Sequence, residues 1–493
     1  MKLEKLISTT KANKIIGWIR DIEIDNITIS SRSNNPNSLF VAQRGVNFDG
    51  HNFVEEAIIN GAVALVLEKE MPQFNIPQII VKNTRVAICS LASEFFDNSK
   101  DRLKFIGVTG TNGKTSCALF LSKLLQNAGK TCATIGTLGT FVGDKKYSSK
   151  LTTPDPLEFH RLLSEFVKSG VEYVVMECSA HALALRKLDN ITFEVGILTN
   201  ITQDHLDFFK TMQNYARSKL SWLLSANVKN VVFNVDDSFS QYLYYKKSKA
   251  LSYGTQNPSD IFALDIKSEA NGTSFILNLL DNLFECKTPL VGEFNVYNIM
   301  AVATAGLYLG ISFQTILETI STLKPPAGRF NVINFGENKT IIIDFAHTPD
   351  SLQKALETAR KVCKGRLISV FGCGGDRDKS KRPIMGSVSE RFADFTILTS
   401  DNPRFEKPEN ILSHIESGFK SHNYFKISDR KLAIRKVVNM LNENDIAVIC
   451  GKGGEKYQDI NGIKLPYDDF EEVESAIKNL MGETQIEVKE SLC

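Results

Sequence analysis

Segment 104–125 reads KFIGVTGTNGKTSCALFLSKLL, and within it Gly110, Thr111, Asn112, Gly113, Lys114 and Thr115 put small residues, an ammonium and a hydroxyl into one loop. Polyphosphate binding needs this combination. Glycines let backbone N–H groups converge on phosphate oxygens, a lysine places a point charge at the β and γ phosphates, and the threonine offers a hydroxyl to Mg²⁺. The general pattern wants its first glycine at position 108, where Val108 stands with Gly107 one place early, so this loop is a variant. A glycine-rich turn with a chance Gly-Lys-Thr is the plainer alternative. The apolar run before the loop and the helix-like stretch after it weigh against that.

Three further residues extend the candidate chemistry. Glu177 ends EYVVMECSA, His205 closes the next apolar run within TNITQDHLDFF, and Lys219 lies on the helix-like YARSKLSWL. A carboxylate and an imidazole at neighbouring strand ends suit a divalent cation beside the γ phosphate. Taken singly, each reads as a satisfied strand-end residue, and Lys219 as a solvated helix lysine. Neither an NKxD nor an LSGGQ motif occurs, which argues against a guanine-nucleotide switch and a transporter ATPase. A second cluster sits at TSDNPRFEKPEN. Asp401, Asn402 and Pro403 suffice for a turn, which makes Arg404 the surplus residue. A guanidinium fork matches a carboxylate with two parallel hydrogen bonds. A surface pairing with Glu406 is the plainer account.

These residues need elements to hold them at one edge. From Leu103 on, short apolar runs alternate with helix-like stretches, the pattern of parallel strands covered by helices. KFIGVTG, TCATIGTLG, EYVVMECSA, FEVGILTN and NVVFNVDD form one series. After KPPAGRF come TIIIDFAHT, RLISVFGCGG, DFTILTSDNPR and DIAVICGKGG. The Pro-Pro and Gly328 stretch reads as a hinge between two α/β domains. The first hundred residues, with SLFVAQRGVNFDGHNFVEEAIINGAVALVLEKE, read as a smaller mixed domain. The expected architecture is therefore α/β in three domains: 1–101, 102–328 (a P-loop ATPase-like parallel sheet) and 329–493 (Rossmann-like). ETQIEVKESLC at the end reads as a frayed polar tail. Open α/β sheets bind ligands outside the carboxyl ends of their strands, which is where TGTNGKTS, ECSAH, TNITQDHLDFF, DFAHTPD, GCGGDRD, SDNPR and GKGGE all fall.

At 493 residues the chain can hold about two to four domains. Its net charge of +2 gives no basic field for nucleic acid. Nine cysteines stand singly with no CxxC pair, which disfavours a disulfide framework and a zinc site and fits a reducing compartment. No apolar run reaches bilayer length, and charges interrupt the N-terminal stretch before a signal-like core forms. A cytoplasmic monomer with small-molecule partners, and without nucleic-acid or membrane partners, is expected.

GVTGTNGKT, ECSAH, TNITQDHLDFF, GEFNVYNIMA, DFAHTPDS, GCGGDRDKSKRP, SDNPR and GKGGEKYQ, in this order, resemble the Mur ligases of peptidoglycan synthesis, specifically the MurE type that adds the third peptide residue. SSRSNNPNSLFVAQRGVNFDGH resembles that family's UDP-binding N-terminal domain. The resemblance covers most of the chain. It implies an ATP-dependent amide ligase acting on UDP-N-acetylmuramoyl-L-alanyl-D-glutamate, in which ATP phosphorylates the glutamate carboxylate and an amine displaces phosphate from the acyl phosphate. It also implies Lys114, Lys219 and His205 as catalytic residues. Thr115, Glu177, His205 and Lys219, the last as a carbamate, would serve the metal. Asn295 and Asn298 match the adenine contact, with helix capping as the other account of Asn295. Arg329 and Asp344 would meet ATP phosphate and ribose across the hinge. Thr152, Thr153, Ser179 and Lys187 match positions that hold the muramoyl dipeptide, and Ser31 and Arg32 match the uridine region. Alternatively, the threonines form a turn before Pro154 and Arg32 is a surface charge.

Members that add lysine lack a basic residue at the end of DNPx, whereas members that add meso-diaminopimelate have DNPR. Arg404 would then receive the distal carboxylate, Asp401 or Glu455 the distal ammonium, Asn402 a polar end and Arg377 the other carboxylate, with Gly451 lining the site and Pro403 fixing the turn. Ser30, Ala180, Ala327 and Gly454 depart from the family pattern, and Lys187 stands where arginine is frequent. A folylpolyglutamate-type ligase and a nucleotide-binding scaffold are the competing functions.

Overall fold

The structure, a computed structural model, describes residues 1–482 apart from 34, 46, 47, 150, 248 and 249; the polar tail anticipated at 483–493 lies outside the described residues. The chain divides into two compact units. The first comprises Met1–Gly107, Gly129–Gly196 and Ser225–Asn230, and the second Val108–Ala128, Ile197–Leu224 and the chain from Val231 on. Strands Lys104–Thr109, Phe193–Leu198 and Val228–Asn234 begin in the first unit and end in the second.

In the first unit a sheet has the spatial order Ala12–Ile16, Gln78–Val81, Ala62–Leu67, Ser38–Val41, Asn26–Thr28. Its pairings are parallel except for that between Ala12–Ile16 and Gln78–Val81. Leu39, Phe40 and Val41 are apolar at successive positions because both faces are covered. Leu39 and Val41 pack in one core with Val66, while Phe40 packs in another with Leu65 and Leu67. Further along, Cys132–Gly136 and Tyr173–Glu177 run parallel, as expected of a crossover pair. Helix Pro156–Lys168 lies between them in sequence. Proline at its first position suits a helix start, and Phe159, Leu162, Leu163 and Phe166 form its buried stripe.

The second unit holds a sheet ordered Asn331–Phe335, Lys339–Asp344, Ile446–Cys450, Leu367–Phe371, Phe395–Leu398, Tyr424–Lys426. Only the first pairing is antiparallel. The run TIIID is continuous because alternate residues serve opposite cores: Ile342 packs with Phe371, Leu398 and Val448, whereas Ile341 and Ile343 pack with Val370, Ile397 and Ile449. Four neighbouring parallel strands thus end in the loops that begin at Asp344, Cys450, Phe371 and Leu398. One sheet edge collects DFAHTPD, GKGGE, GCGGDRD and SDNPR. An antiparallel meander, Ile261–Glu269, Gly272–Leu279 and Asn282–Thr288, also lies in this unit, and the sequence reading did not anticipate it.

Gly328 has φ +70°, and a Cβ there would overlap the backbone of Gly453 and Gly454. Only glycine allows that approach. Among the described residues no helix is long and apolar enough to cross a membrane.

Candidate active site

The phosphate loop follows strand Lys104–Thr109 and opens helix Lys114–Asn127, the order expected. Gly113 caps the helix at φ +85°, where a Cβ would come 2.5 Å from Asn298 Oδ1. At Gly110 a Cβ would overlap the Thr199 hydroxyl. The loop is tied down by the segment after Phe193–Leu198. Thr199 Oγ1 donates to Asn112 O (2.6 Å), Asn112 N donates to Asn200 Oδ1 (2.9 Å), and Thr111 N donates to Asn200 O (2.8 Å). Lys114 is folded over the loop, with Nζ donating to Gly110 O (3.0 Å) and Thr111 O (2.7 Å). Its ammonium is therefore held within reach of the helix N-terminus, where phosphate oxygens are favoured.

Lys219 is not a solvated helix lysine. It is buried on helix Met212–Leu224, its Nζ donates to Gly110 O (2.7 Å), and it lies 4.4 Å from the Tyr215 ring centre. Burial, aided by the neighbouring Lys114 charge, pushes its pKa well below the ordinary lysine range. A lowered pKa raises the share of the neutral amine, which is the nucleophilic form.

His205 stands seven residues past Leu198 rather than on the strand, as the sequence reading had it. It precedes the short helix Leu206–Phe209 with φ +56°. Beside it Asp204 is buried, with His205 Nε2 at 3.3 Å, His347 Nε2 at 3.7 Å and Lys381 Nζ at 3.3 Å. Burial alone would raise the Asp204 carboxyl, but Lys381 and the two histidines hold it well below the usual carboxylate range. Sequence reading missed Asp204, His347 and Lys381. The signal was present, since TNITQDHLDFF, DFAHTPD and GCGGDRDKSKRP were all singled out at strand ends, but nothing in one dimension shows which of their residues meet.

Asn295 and Asn298 share one face of helix Glu293–Tyr308, with Asn298 Nδ2 donating to Asn295 Oδ1 (3.3 Å). The cap position belongs to Gly292, and Asn295 Nδ2 donates to Val291 O (3.0 Å), so capping does not explain Asn295. Arg329 Nη2 donates to Thr115 Oγ1 (3.0 Å), and its guanidinium lies over the Phe345 ring at 4.3 Å. Asp344 ends its strand half-buried. It accepts from Phe330 N and Ala346 N, both at 2.8 Å, and burial raises its pKa.

In the first unit, Glu177 ends its strand and accepts from Thr137 N (2.8 Å) and Thr137 Oγ1 (3.2 Å). Thr137 Oγ1 lies 3.3 Å from Thr152 Oγ1, and Thr153 Oγ1 donates to Glu177 O (2.8 Å). Ser179 caps helix Ala180–Ala184 and lies 3.2 Å from Thr153 Oγ1, while Lys187 pairs with Asp155 at 2.6 Å. Thr152, Thr153, Ser179 and Glu177 are thus brought together, with Thr137 as the member sequence reading missed. Ser31 is apart from them and donates to Glu56 Oε2 (2.6 Å). Arg32 is a surface side chain, 86% exposed and 4.0 Å from Glu56.

The DNPR turn is built into the second unit's sheet edge. Asn402 is buried; its Nδ2 donates to Glu455 Oε2 (2.9 Å) and its Oδ1 accepts from Asp459 N (2.9 Å). A Cβ on Gly451 would come 2.6 Å from Asp401 Oδ2, so that glycine makes room for the carboxylate. Arg404 adopts φ +51°, fixed by Arg404 N donating to Asp459 O (3.0 Å) and Asn461 N donating to Arg404 O (2.8 Å). Its Nη1 donates to Gly375 O (2.7 Å) and its Nε faces Asp459 Oδ2 at 3.9 Å. Glu406 is taken instead by buried Arg382, at 2.9 Å, and by Lys379, at 3.3 Å, which removes the surface-pair account of Arg404. A Cβ on Gly374 would meet Arg404 Nη1 at 2.8 Å and Arg377 Cγ at 3.5 Å. The two arginines therefore flank that glycine, with Arg377 exposed. The Arg404 guanidinium, the stem of Arg377 and two carboxylates, Asp401 and Glu455, thus lie at one sheet edge, a complement to a ligand bearing both signs of charge.

Comparison with known proteins agrees with this layout. Family models for the Mur ligase catalytic domain, the Mur ligase middle domain and the Mur ligase glutamate ligase domain match residues 23–96, 108–306 and 328–453. The chain is 39% identical over 486 residues to the UDP-N-acetylmuramoyl-L-alanyl-D-glutamate--2,6-diaminopimelate ligase 1 of Clostridium acetobutylicum, covering 97% of this chain and all of the relative. It is 40% identical over 461 residues to the ligase of the same substrates from Aquifex aeolicus, covering 93% and 94%. A solved structure of a UDP-N-acetylmuramoyl-L-alanyl-D-glutamate--2,6-diaminopimelate ligase superposes with a TM-score of 0.69 at 31% identity, over 97% of this chain and 99% of that one. A MurF ligase from Thermotoga maritima, with a TM-score of 0.63 at 21% identity over 93% and 98%, shares the fold. With the fold, the phosphate loop and the strand-end clusters in place, the chain belongs to the Mur ligase family, in its MurE type.

Proposed function

We propose that this enzyme joins meso-2,6-diaminopimelate to the D-glutamate of UDP-N-acetylmuramoyl-L-alanyl-D-glutamate through an acyl phosphate, as a cytoplasmic monomer. ATP-dependent ligation in peptidoglycan synthesis follows from family membership; the amino acid and the intermediate are the finer part of the reading. The domains would be 1–101 for UDP, 102–328 for ATP and 329–493 for the amino acid, and the extents of the three family matches support this. The near balance of 58 basic and 56 acidic residues supports small-molecule partners rather than nucleic acid.

In this reading Gly110, Thr111, Asn112 and Gly113 present N–H groups to the ATP phosphates, and Lys114 swings from the loop carbonyls onto the transferring phosphoryl group. Arg329 follows the phosphates from its place at Thr115, while Asn295 and Asn298 meet adenine and Asp344 the ribose. The glutamate carboxylate oxygen attacks the γ phosphorus and ADP leaves. The amine then attacks the acyl carbon, loses a proton, and phosphate departs. Stabilising charge on the transferring group is mainly a matter of positioned donors.

Among the described residues no three His, Cys, Asp or Glu side chains form a ready metal site. The donor set fits Mg²⁺ only if Lys219 supplies oxygen atoms, and its burial and depressed pKa suit conversion of the neutral amine to a carbamate. Thr115, His205 and carbamylated Lys219, with Glu177 as the ligand expected from sequence, would hold the ion, which neutralises phosphate charge when bound. The muramoyl dipeptide is assigned to Thr152, Thr153, Ser179 and Lys187, supported by the hydrogen-bonded group that the first three form with Thr137 and Glu177.

The observation that carries the amino-acid assignment is the meeting of Arg404 and Arg377 at Gly374, on the same sheet edge as Asp401 and Glu455. A diamino diacid satisfies both signs, whereas lysine leaves a guanidinium without its carboxylate. The test is phosphate release with ATP, the UDP-dipeptide and either diamino acid. Release with diaminopimelate and little with lysine is expected, and equal release with both would refute the assignment.

A further inference from the structure

We propose that Lys452, which neither the motif reading nor the family comparison assigns, is a positioning residue of the amino-acid site that aims Glu455. This rests on the acceptor reading above. Lys452 is fully buried, two residues past the end of strand Ile446–Cys450. Its Nζ donates to Asn402 Oδ1 (3.0 Å) and to Glu455 Oε2 (3.3 Å), and the Tyr457 and Tyr467 ring centres lie 5.5 and 5.9 Å away. Asn402 Nδ2 donates to the same Glu455 Oε2 at 2.9 Å, closing a three-membered set whose other two members are expected ligands of the amino acid. A buried ammonium is tolerated only when paired and hydrogen-bonded, and here both partners come from the site itself.

The consequence follows from which oxygen is used. Oε2 of Glu455 accepts from two side chains, while Oε1 has no hydrogen-bond partner among the described residues. One oxygen anchored twice leaves the other pointing in a fixed direction, which is what a ligand ammonium requires. Asn402 is also held by Asp459 N, so its amide orientation survives without Lys452. Glu455 lacks such a second anchor, since Asn402 Nδ2 alone would remain. The effect of Lys452 should therefore pass through Glu455.

The experiment is a double-substitution cycle on the intact enzyme, reading KM and kcat for each substrate by phosphate release. Lys452→Met should raise KM for diaminopimelate about 10-fold to 100-fold, with kcat within a few-fold and KM for ATP and the UDP-dipeptide unchanged. Added to Glu455→Gln, the same substitution should change KM by less than about threefold, because the group it acts through is already altered. Loss of equal size on both backgrounds, or a joint rise in KM for all three substrates, would overturn the proposal in favour of a merely structural lysine. Thermal melting of each variant checks folding. Should Lys452→Met not fold, Lys452→Gln, which keeps a donor for Asn402 and removes the charge, replaces it in the cycle. If the wild type takes a different amine, the function proposed above fails, while the same cycle run with that amine still decides the role of Lys452.

Discussion

Replacing Arg404 by alanine tests the amino-acid assignment at its sharpest point. In the structure Nη1 donates to Gly375 O at 2.7 Å and Nε faces Asp459 at 3.9 Å, which leaves Nη2 and the second Nη1 proton for a ligand carboxylate. Two charge-assisted hydrogen bonds contribute about 3 kcal/mol, roughly a 150-fold effect on kcat/KM. Arg404→Ala should therefore lower kcat/KM for diaminopimelate by about two orders of magnitude. Lysine should behave differently. With lysine bound, Arg404 keeps Gly375 O and Asp459, so removing it changes kcat/KM for lysine by less than about threefold. Selectivity should thus fall about 100-fold, read by phosphate release with each amine over a concentration series. The backbone is a small concern: position 404 is at φ +51° for either side chain, and its two main-chain hydrogen bonds do not involve the guanidinium. A selectivity ratio unchanged within about threefold would refute the reasoning, because Arg377, the other arginine at Gly374, is assigned to the amino acid's other carboxylate and would not replace the lost fork.

Lys219→Met should abolish phosphate release while leaving the thermal transition near that of the wild type, since a buried amine whose burial disfavours its charge is replaced by an apolar chain of similar length. ¹³C-bicarbonate NMR should show a carbamate resonance in the wild type that is missing from the variant, and its absence from both would remove the modification from the reading. The Arg382–Glu406 pair predicts a pH window. Hydrogen bonding from Arg382 holds the Glu406 carboxyl at about 2, against an ordinary value of 4.5. The unfolded chain binds the extra proton between those values, so the pair's stabilisation is full above the upper one and is lost as pH falls through the lower. The gap in melting temperature between the wild type and Glu406→Gln should shrink as the pH is lowered through that window; a constant gap would contradict it.

The reach of the sequence is clearest at the strand ends. Continuous apolar runs such as TIIID and IAVIC could only be strands covered on both faces, and polar or glycine-rich residues after each run place the chemistry at the carboxyl edge. Gly-Lys-Thr before a helix was legible because its local context leaves few other uses, whereas the arginine after Asp-Asn-Pro reads locally as a surface partner of Glu406 and gained its assignment only from the family resemblance. The order of motifs was enough to indicate the family, since a joint pattern spread over most of the chain does not arise locally. Environment was not legible. Lys219 reads as an ordinary helix lysine in YARSKLSWL, and only packing against Tyr215 and Gly110 makes it buried and lowers its pKa. Asp204, His347 and Lys381 lie in three separate motifs, and Lys452 looks like one more charged loop residue beside Glu455. Periodicity and turn chemistry are written within a few residues of one another, so the chain itself determines its strands, helices and phosphate loop. Burial and charge pairing arise between residues tens to hundreds of positions apart, and those the tertiary structure alone decided.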